Sequence, residues 1–332
     1  MKKKIFITGA SGFVGSHLVE HVYDQGFEVH AAVRASSNTA SIQPFVHKFV
    51  SLDFTNVDAL KTHFDQEQYN YIIHAAALTK AKDPALMQEV NVGYTHNILT
   101  AAFAADMPLE RVCFVGSLAA IGPVPYAEVS PIMEDSPYHP LTVYGRSKQA
   151  AEEMIKKNFA DKPISVIRPT AVYGPREKDL FILFDTLNKG LDPYIGKKPQ
   201  KLSFVYVKDL VEVILQACLL SQEGLQFYNI SDGNSYSKYA LADVFKRTFA
   251  KNPLRLHIPL ALVSLIAKVA QLLYKNTTKT PVIYPERLGE LTAENWNCSI
   301  QKAKNKLNYI PKYDLSKGLT ETLNWYKANN WL

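Results

Sequence analysis

The segment that most constrains the chain is its first twenty-five residues. The run Lys4-Ile5-Phe6-Ile7-Thr8 leads straight into Gly9-Ala10-Ser11-Gly12-Phe13-Val14-Gly15, and helical apolar spacing then holds over residues 14–25. Glycines at intervals of three let a turn tighten, let main chain approach a pyrophosphate and let a helix pack close against a strand. The helix start adds unpaired N–H groups and the positive end of its dipole. Such spacing alone describes an ordinary turn. Between a strand and a helix, in the first βαβ unit, it predicts a dinucleotide site built from Gly9, Ser11, Gly12, Phe13, Val14 and Gly15.

The first half of the chain keeps that rhythm. Apolar runs at 28–33, 48–52, 71–75, 111–115 and 164–168 alternate with helical spacing near 93–104 and at 144–159. Strand, helix, strand with short links predicts an α/β fold, a Rossmann-type doubly wound parallel sheet covered on both faces. Beyond about residue 170 the pattern breaks. Pro and Gly punctuate 173–199, helical patterns dominate 237–274, and Pro281 and Pro285 interrupt the last stretch. The expectation is a dinucleotide-binding domain over 1–170 and a smaller, mostly helical substrate domain over 171–332. A segment of about 202–235 is expected to return to the sheet.

Composition narrows the partners. With 332 residues, 47% hydrophobic and 20% charged, the chain has material for two globular domains and is too apolar for disorder. The net charge of +6 is scattered, and its densest runs, Lys2-Lys3-Lys4 and the Lys302, Lys304, Lys306 series, lack interleaved aromatics. They are read as solvated faces, and no nucleic-acid partner is expected. Cys113, Cys218 and Cys298 are too widely spaced for a disulfide framework or a zinc knuckle, which points to a reducing, cytoplasmic setting. The apolar run after Lys4 stops within three residues, short of the ~7 a secretory signal needs. Residues 258–274 also invite a membrane reading, but the stretch falls short of the ~20 residues of a spanning helix and holds Lys268 and Gln271. It is read as a buried helix of the substrate domain, in preference to a membrane-surface helix, and no membrane association is expected.

The end of the second strand selects the dinucleotide. A carboxylate there would hold a ribose 2′-hydroxyl, whereas a cation would accept a 2′-phosphate. The sequence places Val33-Arg34-Ala35-Ser36-Ser37 there, with no carboxylate, so NADP(H) is favoured through Arg34 and NAD(H) stays as the alternative. On the first helix, His17-Leu18-Val19-Glu20-His21 matches the H-x-x-E-H pattern of inverted zincins. It lies on the helix beneath the dinucleotide with no third ligand in reach of the sequence pattern, and no metal is expected.

Tyr144-Gly145-Arg146-Ser147-Lys148 sets a phenol and an ammonium four residues apart, on one helix face. A free tyrosine, with pKa near ~10, is a poor proton shuttle at neutral pH, and a neighbouring lysine is expected to lower it. Ser117 follows the strand at 111–115, at the carboxyl end of the sheet where ligands bind in such folds. Y-x-x-x-K alone is an ordinary helical pair. Joined to the glycine turn and Ser117, it predicts a catalytic set of Ser117, Tyr144 and Lys148.

With these residues in place the chain resembles the extended short-chain dehydrogenase/reductase family, which includes NAD(P)-dependent epimerases and dehydratases. The resemblance runs through Thr8-Gly9-Ala10-Ser11-Gly12-Phe13-Val14-Gly15, Asp53, His74-Ala75-Ala76-Ala77, Asn91, the Ser-Tyr-Lys set, Arg168-Pro169-Thr170-Ala171-Val172-Tyr173-Gly174-Pro175, Phe204-Val205-Tyr206-Val207-Lys208-Asp209 and Asn308-Tyr309-Ile310-Pro311. It implies that Asp53 contacts adenine, that Ala75, Ala76 and Asn91 belong to the cofactor site, and that Pro169 and Val172 border the nicotinamide. It also implies a homodimer through the helices at 93–104 and 144–159. Departures narrow the chemistry. Leu118 and Ala119 stand where 4,6-dehydratases carry an acidic pair, and Ala119 where GDP-fucose synthases carry cysteine. Thr170-Ala171 replaces an asparagine, and Leu202 an arginine, that sugar-nucleotide enzymes use on a diphosphate. Arg287, in Pro285-Glu286-Arg287-Leu288-Gly289-Glu290, resembles their remaining phosphate-binding arginine. The Arg34 strand end and the apolar stretch at 260–273 look more like the dihydroflavonol reductase and 3β-hydroxysteroid dehydrogenase branch.

Three functions are therefore in play. The leading one is an NAD(P)-dependent oxidoreductase acting on a ketone or secondary alcohol of a small hydrophobic substrate, with Ser117, Ala171, Leu202 and Arg287 on the substrate side. The second is a nucleotide-sugar epimerase that retains its cofactor. The third is a non-catalytic NADP sensor or scaffold, which the intact Ser-Tyr-Lys set opposes.

Overall fold

The computed structural model describes residues 2–81, 83–221, 223–274 and 284–332, so Pro281 lies outside the described residues. In chain order the first lobe runs β1 (Lys4–Thr8), α1 (Phe13–Asp24), β2 (Glu28–Ala32), β3 (Lys48–Val50), α2 (Val57–Glu67), β4 (Tyr71–His74), α3 (Pro84–Gln88), α4 (Tyr94–Ala104), β5 (Arg111–Val115), α5 (Val143–Asn158) and β6 (Ile164–Pro169). There follow β7 (Ala171–Tyr173), α6 (Phe181–Asn188), β8 (Leu191–Ile195), β9 (Phe204–Tyr206), α7 (Val207–Cys218) and β10 (Gln226–Ile230). The chain closes with α8 (Ala240–Phe249), β11 (Leu254–Ile258), α9 (Leu260–Leu273), α10 (Pro285–Thr292), α11 (Gln301–Leu307) and α12 (Leu315–Ala328).

Seven strands form one sheet in the order β10-β6-β5-β4-β1-β2-β3, every neighbouring pair parallel. This is a Rossmann-type doubly wound α/β sheet, and its reversal of strand order beside β1 opens a crevice at the carboxyl ends of the strands. Because helices cover both faces, strand residues are apolar on both sides, as in Ile5-Phe6-Ile7 and Tyr71-Ile72-Ile73. Ile5 and Ile7 pack with Leu18 and Val22 of α1 and with Leu210 and Ile214 of α7. Phe6 and Ile72 pack on the opposite face with Phe64 of α2, Ile98 of α4 and Ile155 of α5. Cys113 and Cys218, distant in sequence, come together as free thiols inside the first of these layers.

The second lobe has its own core, in which Tyr173 and Tyr206 meet Phe184 of α6, Phe245 of α8 and Leu319 of α12. Residues 202–235 divide between the lobes. The strand β9 pairs with β7, Ala171 opposite Phe204, apart from the large sheet. Helix α7 and strand β10 lie on the large sheet, with Gln226 to Ile230 in register with Ser165 to Pro169 of β6.

Two features of the second lobe differ from expectation. The stretch read as helical contains β11, which runs parallel to β8. More consequentially, α9 is not buried. Val263 and Ala267, one turn apart, are its only buried side chains, at 4% and 0% exposure, while Leu272 and Leu273 are 71% and 73% exposed. The helix contacts α10, and no other described helix or strand packs substantially against it. Continuous apolar sequence signals burial only when a partner layer exists on each side, and here one side alone has one.

Candidate functional site

The site begins in the turn after β1. Gly9 has φ of +69°, and a Cβ on it would come within 2.7 Å of the Ala75 and Ala76 backbone. A Cβ on Gly15 would lie 2.0 Å from the Gly9 carbonyl oxygen, so α1 reaches its close packing on β1 only with glycine there. Gly12 differs. It caps α1 without a side-chain acceptor, and a Cβ there meets only the Gly9 oxygen, at 3.2 Å. That leaves open space before the N-terminus of α1, in which the N–H groups and dipole suit a pyrophosphate. The residues present thus fit a dinucleotide. Arg34 is exposed just past β2, its N–H donating to Ser37 Oγ at 3.1 Å. Asp53 is exposed past β3, where its carboxylate accepts from Thr55 N and Oγ1 at 2.9 and 2.7 Å and is held below the usual carboxylate range by those bonds.

Beneath the turn runs an ordered chain of hydrogen bonds. Thr95 Oγ1 donates to the Asn91 carbonyl at 2.8 Å, so it accepts from His74 Nε2 at 2.9 Å. His74 Nδ1 is then an acceptor for Thr8 Oγ1 at 2.6 Å, which itself accepts from Ala76 N at 3.1 Å. This order fixes a neutral imidazole, and burial first, then the Lys148 charge, brings its pKa down to about 3. The chain ties β1, the Ala75-Ala76 bend and α4 into one unit. Asn91 belongs to it, in a single π-turn at Glu89–Gly93. Its Oδ1 accepts from Leu78 N, and its Nδ2 donates to Leu78 O and Ser147 Oγ. With all three bonds made inside the protein, Asn91 braces the loop past β4 against α5.

The second half of the site is carried by α5. Thr142 caps it through the Gly145 N–H at 3.0 Å, and Glu286 of α10 accepts from Val143 N and from Arg146, both at 3.1 Å. A Cβ on Gly145 would sit 2.5 Å from the Ala119 carbonyl oxygen, so glycine lets the turn that begins at Ser117 press onto the helix. That turn brings Ser117, whose Oγ accepts from Ala119 N at 3.2 Å, beside the Tyr144 phenol. Burial pushes that phenol up to about 12, with the Glu290 and Glu152 carboxylates adding to the rise and Ser117 opposing it. The sequence led us to expect a lowered phenol. In the structure the Lys148 ammonium lies 6.0 Å from the Tyr144 ring centroid and donates to the Val115 carbonyl at 2.8 Å. Burial brings Lys148 itself down to about 8, against the upward pull of Glu152. A protonated phenol next to a hydroxyl is a hydrogen-bond donor pair for a substrate oxygen, and the phenol is a proton source at neutral pH.

Among the substrate-side residues, Arg287 shares a helix with a carboxyl that acts on this centre, and Leu202 belongs to the second-lobe core. Arg287 sits one turn before Glu290 on α10, a half-buried carboxyl that burial raises and Arg287 lowers, and that acts on Tyr144. Leu202 exchanges backbone hydrogen bonds with Tyr236 and packs on the second-lobe core. Ala171 is exposed on β7, and Val172 is half-buried behind Pro169. Sequence reasoning missed Glu290 and Thr170. Glu290 follows Arg287 in the same helical turn, which was the available signal. Thr170 Oγ1 is buried directly after Pro169 with no hydrogen-bond partner among the described residues.

The H-x-x-E-H pattern is used structurally. His17 Nε2 donates to the Pro175 carbonyl at 3.0 Å, and its Nδ1 accepts from Arg176, which also grips Glu20 at 2.6 and 3.0 Å. Burial, then the Arg176 charge, holds His17 near 4. The described residues include no group of three or more His, Cys, Asp or Glu side chains able to hold a metal ion.

A glycine-turn Rossmann crevice facing a Ser-Tyr-Lys helix defines a nicotinamide-dinucleotide enzyme class. The chain belongs to the NAD dependent epimerase/dehydratase family, whose model matches residues 5–231. It is similar to a putative UDP-glucose 4-epimerase of Methanocaldococcus jannaschii, 27% identical across 98% of this chain and 99% of that protein. It is also similar to the decarboxylating sterol-4-alpha-carboxylate 3-dehydrogenase of Candida albicans, 25% identical across 97% of both chains. The fold matches that of UDP-glucose 4-epimerase from Thermotoga maritima, with a TM-score of 0.78 at 20% identity, over 98% of this chain and 99% of that one. The protein is an NAD-dependent enzyme of the epimerase, dehydratase and dehydrogenase kind.

The neutral His74 makes stability depend on pH with a definite sign. Between about pH 6.5 and 3 the unfolded chain takes up a proton that folded His74 refuses, so stability is full above that window and falls as pH drops through it. At about pH 5 the loss amounts to about 2 kcal/mol. Urea unfolding at about pH 7 and about pH 5 should show that His74→Gln removes this part of the decline, and an unchanged decline would mean His74 is not held neutral.

Proposed function

We propose that this chain moves a hydride between a nicotinamide cofactor and a ketone or secondary alcohol of a small hydrophobic molecule, with Ser117, Tyr144 and Lys148 as its catalytic residues. The observation that carries the reading is the Tyr144 phenol, kept protonated by burial beside Ser117, one turn before the Lys148 ammonium. The bound dinucleotide supplies or accepts the hydride. In the reducing direction Tyr144 Oη gives its proton to the substrate oxygen, and Ser117 Oγ holds that oxygen in place. Lys148 stabilises the phenolate left behind and offers its ammonium to the nicotinamide ribose. Gly9, Ser11, Gly12, Phe13, Val14 and Gly15 hold the pyrophosphate, Arg34 with Ser37 the 2′-phosphate of NADP, and Asp53 the adenine. Ala75, Ala76, Pro169 and Val172 line the rest of the cofactor cleft, and Asn91 positions the loop that carries the first two.

Apolar residues around the catalytic turn support a hydrophobic substrate. Leu118 and Ala119, directly after Ser117, are buried, and Leu202 is packed into an apolar core. A relative named for a sterol carboxylate agrees with this reading. Glu290 supports it further, because a carboxyl beside Arg287 repels a diphosphate that would seek that arginine. Arg287 is also the observation that favours the second reading, a nucleotide-sugar epimerase, in which the same three residues oxidise and re-reduce a sugar carbon.

Tyr144→Phe should bind cofactor normally and lose ~10²–10⁴-fold in turnover, the worth of positioned acid catalysis. Wild-type turnover on any identified substrate would remove Tyr144 from this role. Arg34→Ala should weaken NADPH far more than NADH, since a guanidinium–phosphate contact is worth ~1.5–3 kcal/mol and NADH offers no such phosphate. Fluorescence titration of both cofactors decides it, and equal losses would reduce Arg34 to a loop residue. In a thermal-shift panel run with NADP⁺, hydrophobic ketones should stabilise the protein more than UDP- or dTDP-sugars. Stabilisation by a nucleotide sugar alone would establish the epimerase reading in its place.

A further inference from the structure

Ten of the twenty-two large hydrophobic side chains exposed among the described residues fall between positions 254 and 274. On α9, Leu262, Leu265, Ile266, Val269, Leu272 and Leu273 are all exposed, while Val263 and Ala267 are its only buried positions and α10 is the element it contacts. The surface continues onto the preceding ribbon. Leu254 of β11 lies opposite Leu191 of β8, both exposed, and Leu256 follows two residues later on the same side. Exposed apolar side chains at this density exceed what an unpartnered soluble surface ordinarily shows.

We propose that this α9 face, with the β8–β11 ribbon, docks on an anionic lipid bilayer and lies within its interface. Charge selects this occupant. Residues 244–274 contain no Asp or Glu and five Lys or Arg, so this stretch carries +5 of the chain's net +6. Lys246 and Arg255 are ion-paired to Asp192, and Arg255 also to Asp243, whereas among the described residues Arg247 and Lys251 bond the neutral Ser316 and Asn188, and Lys268 stands exposed on α9 itself. An apolar helix that carries an exposed lysine and follows an acid-free basic stretch is complementary to acyl chains beneath anionic headgroups. Length sets the orientation. Fourteen helical residues reach about 21 Å, short of the ~30 Å hydrocarbon core, and no described helix is long and apolar enough to cross a membrane. Composition argues against a protein partner, because positions 260–273 hold no aromatic, Met or Arg, the residues that enrich protein interfaces. Docking here would bring α10, and with it Arg287 and Glu290, next to the bilayer surface.

The test is co-sedimentation of the full chain with phosphatidylcholine vesicles, with and without phosphatidylglycerol, for wild type and for Leu265→Glu/Leu272→Glu. These two positions are seven residues apart on one exposed face. Cofactor titration and the thermal midpoint report that the variant is folded, and Val129→Glu, at an exposed valine outside this face, is the control. Wild type and Val129→Glu should bind the anionic vesicles at least tenfold better than neutral ones, and the double variant should lose at least tenfold. Raising salt from about 0.1 to about 1 M, which shortens the Debye length from about 10 to about 3 Å, should weaken the binding. Equal sedimentation with and without vesicles would overturn the proposal, as would binding that the double variant retains. So would a wild-type dimer that the double variant dissolves, since a second copy would then cover the face. Because the readout is lipid binding, its failure is independent of the catalytic reading.

Discussion

Arg168 at the end of β6 and Glu152 on α5 form an ion pair in which neither side chain has any solvent exposure. Removing two charges from water costs several kcal/mol for each, and their attraction offsets this only when every remaining donor and acceptor is engaged. Here every guanidinium nitrogen and both carboxylate oxygens have a partner. Arg168 Nε reaches both Glu152 oxygens at 3.0 and 3.1 Å, Nη2 reaches Oε2 at 2.7 Å and the Tyr138 hydroxyl at 3.0 Å, and Nη1 reaches the Glu134 carbonyl at 2.8 Å. The guanidinium lies 4.6 Å from the Phe227 ring centroid, and Tyr138 closes the circle onto Glu152 at 2.8 Å. A pair this fully bonded permits one rotation of α5 about its axis. Since Tyr144, Lys148 and Glu152 are spaced by four, fixing the third places the other two at the sheet's carboxyl edge.

The same carboxylate shapes the chemistry it positions. Glu152 pulls Lys148 upward against burial and adds to the rise of Tyr144. From the other side α10 closes on the helix start through Glu286, and its Glu290 raises the phenol as well. Burial first, and these carboxylates in addition, keep the phenol protonated, so the unassisted state of this site is that of a donor. Reading Tyr144 and Lys148 as an isolated pair gave the opposite sign, because burial, and carboxylates 8 and 146 residues away, come only with the fold.

The dinucleotide half was the more legible. A strand, a glycine turn and a helix interact with their nearest neighbours in sequence, and β1, α1, β5 and α5 appeared within a residue or two of their expected bounds. Asn91 was legible as a motif member, but its hydrogen bonds to Leu78 and Ser147 appear only in the fold. The H-x-x-E-H pattern shows the same limit, because its partner Arg176 is 156 residues from Glu20.

By itself the sequence determined the local events. Glycine where a Cβ would collide, apolar runs of period two and 3.6, a capped helix with phenol and ammonium one turn apart all follow from sterics and hydrogen bonding within a few residues. Only the tertiary structure decided what each side chain meets across the fold. It put Glu152 against Arg168, Glu290 near Tyr144 and β9 against β7. It also left α9 exposed, because an apolar helix is buried only if the chain supplies a layer to cover it, and among the described elements α10 alone packs substantially on it.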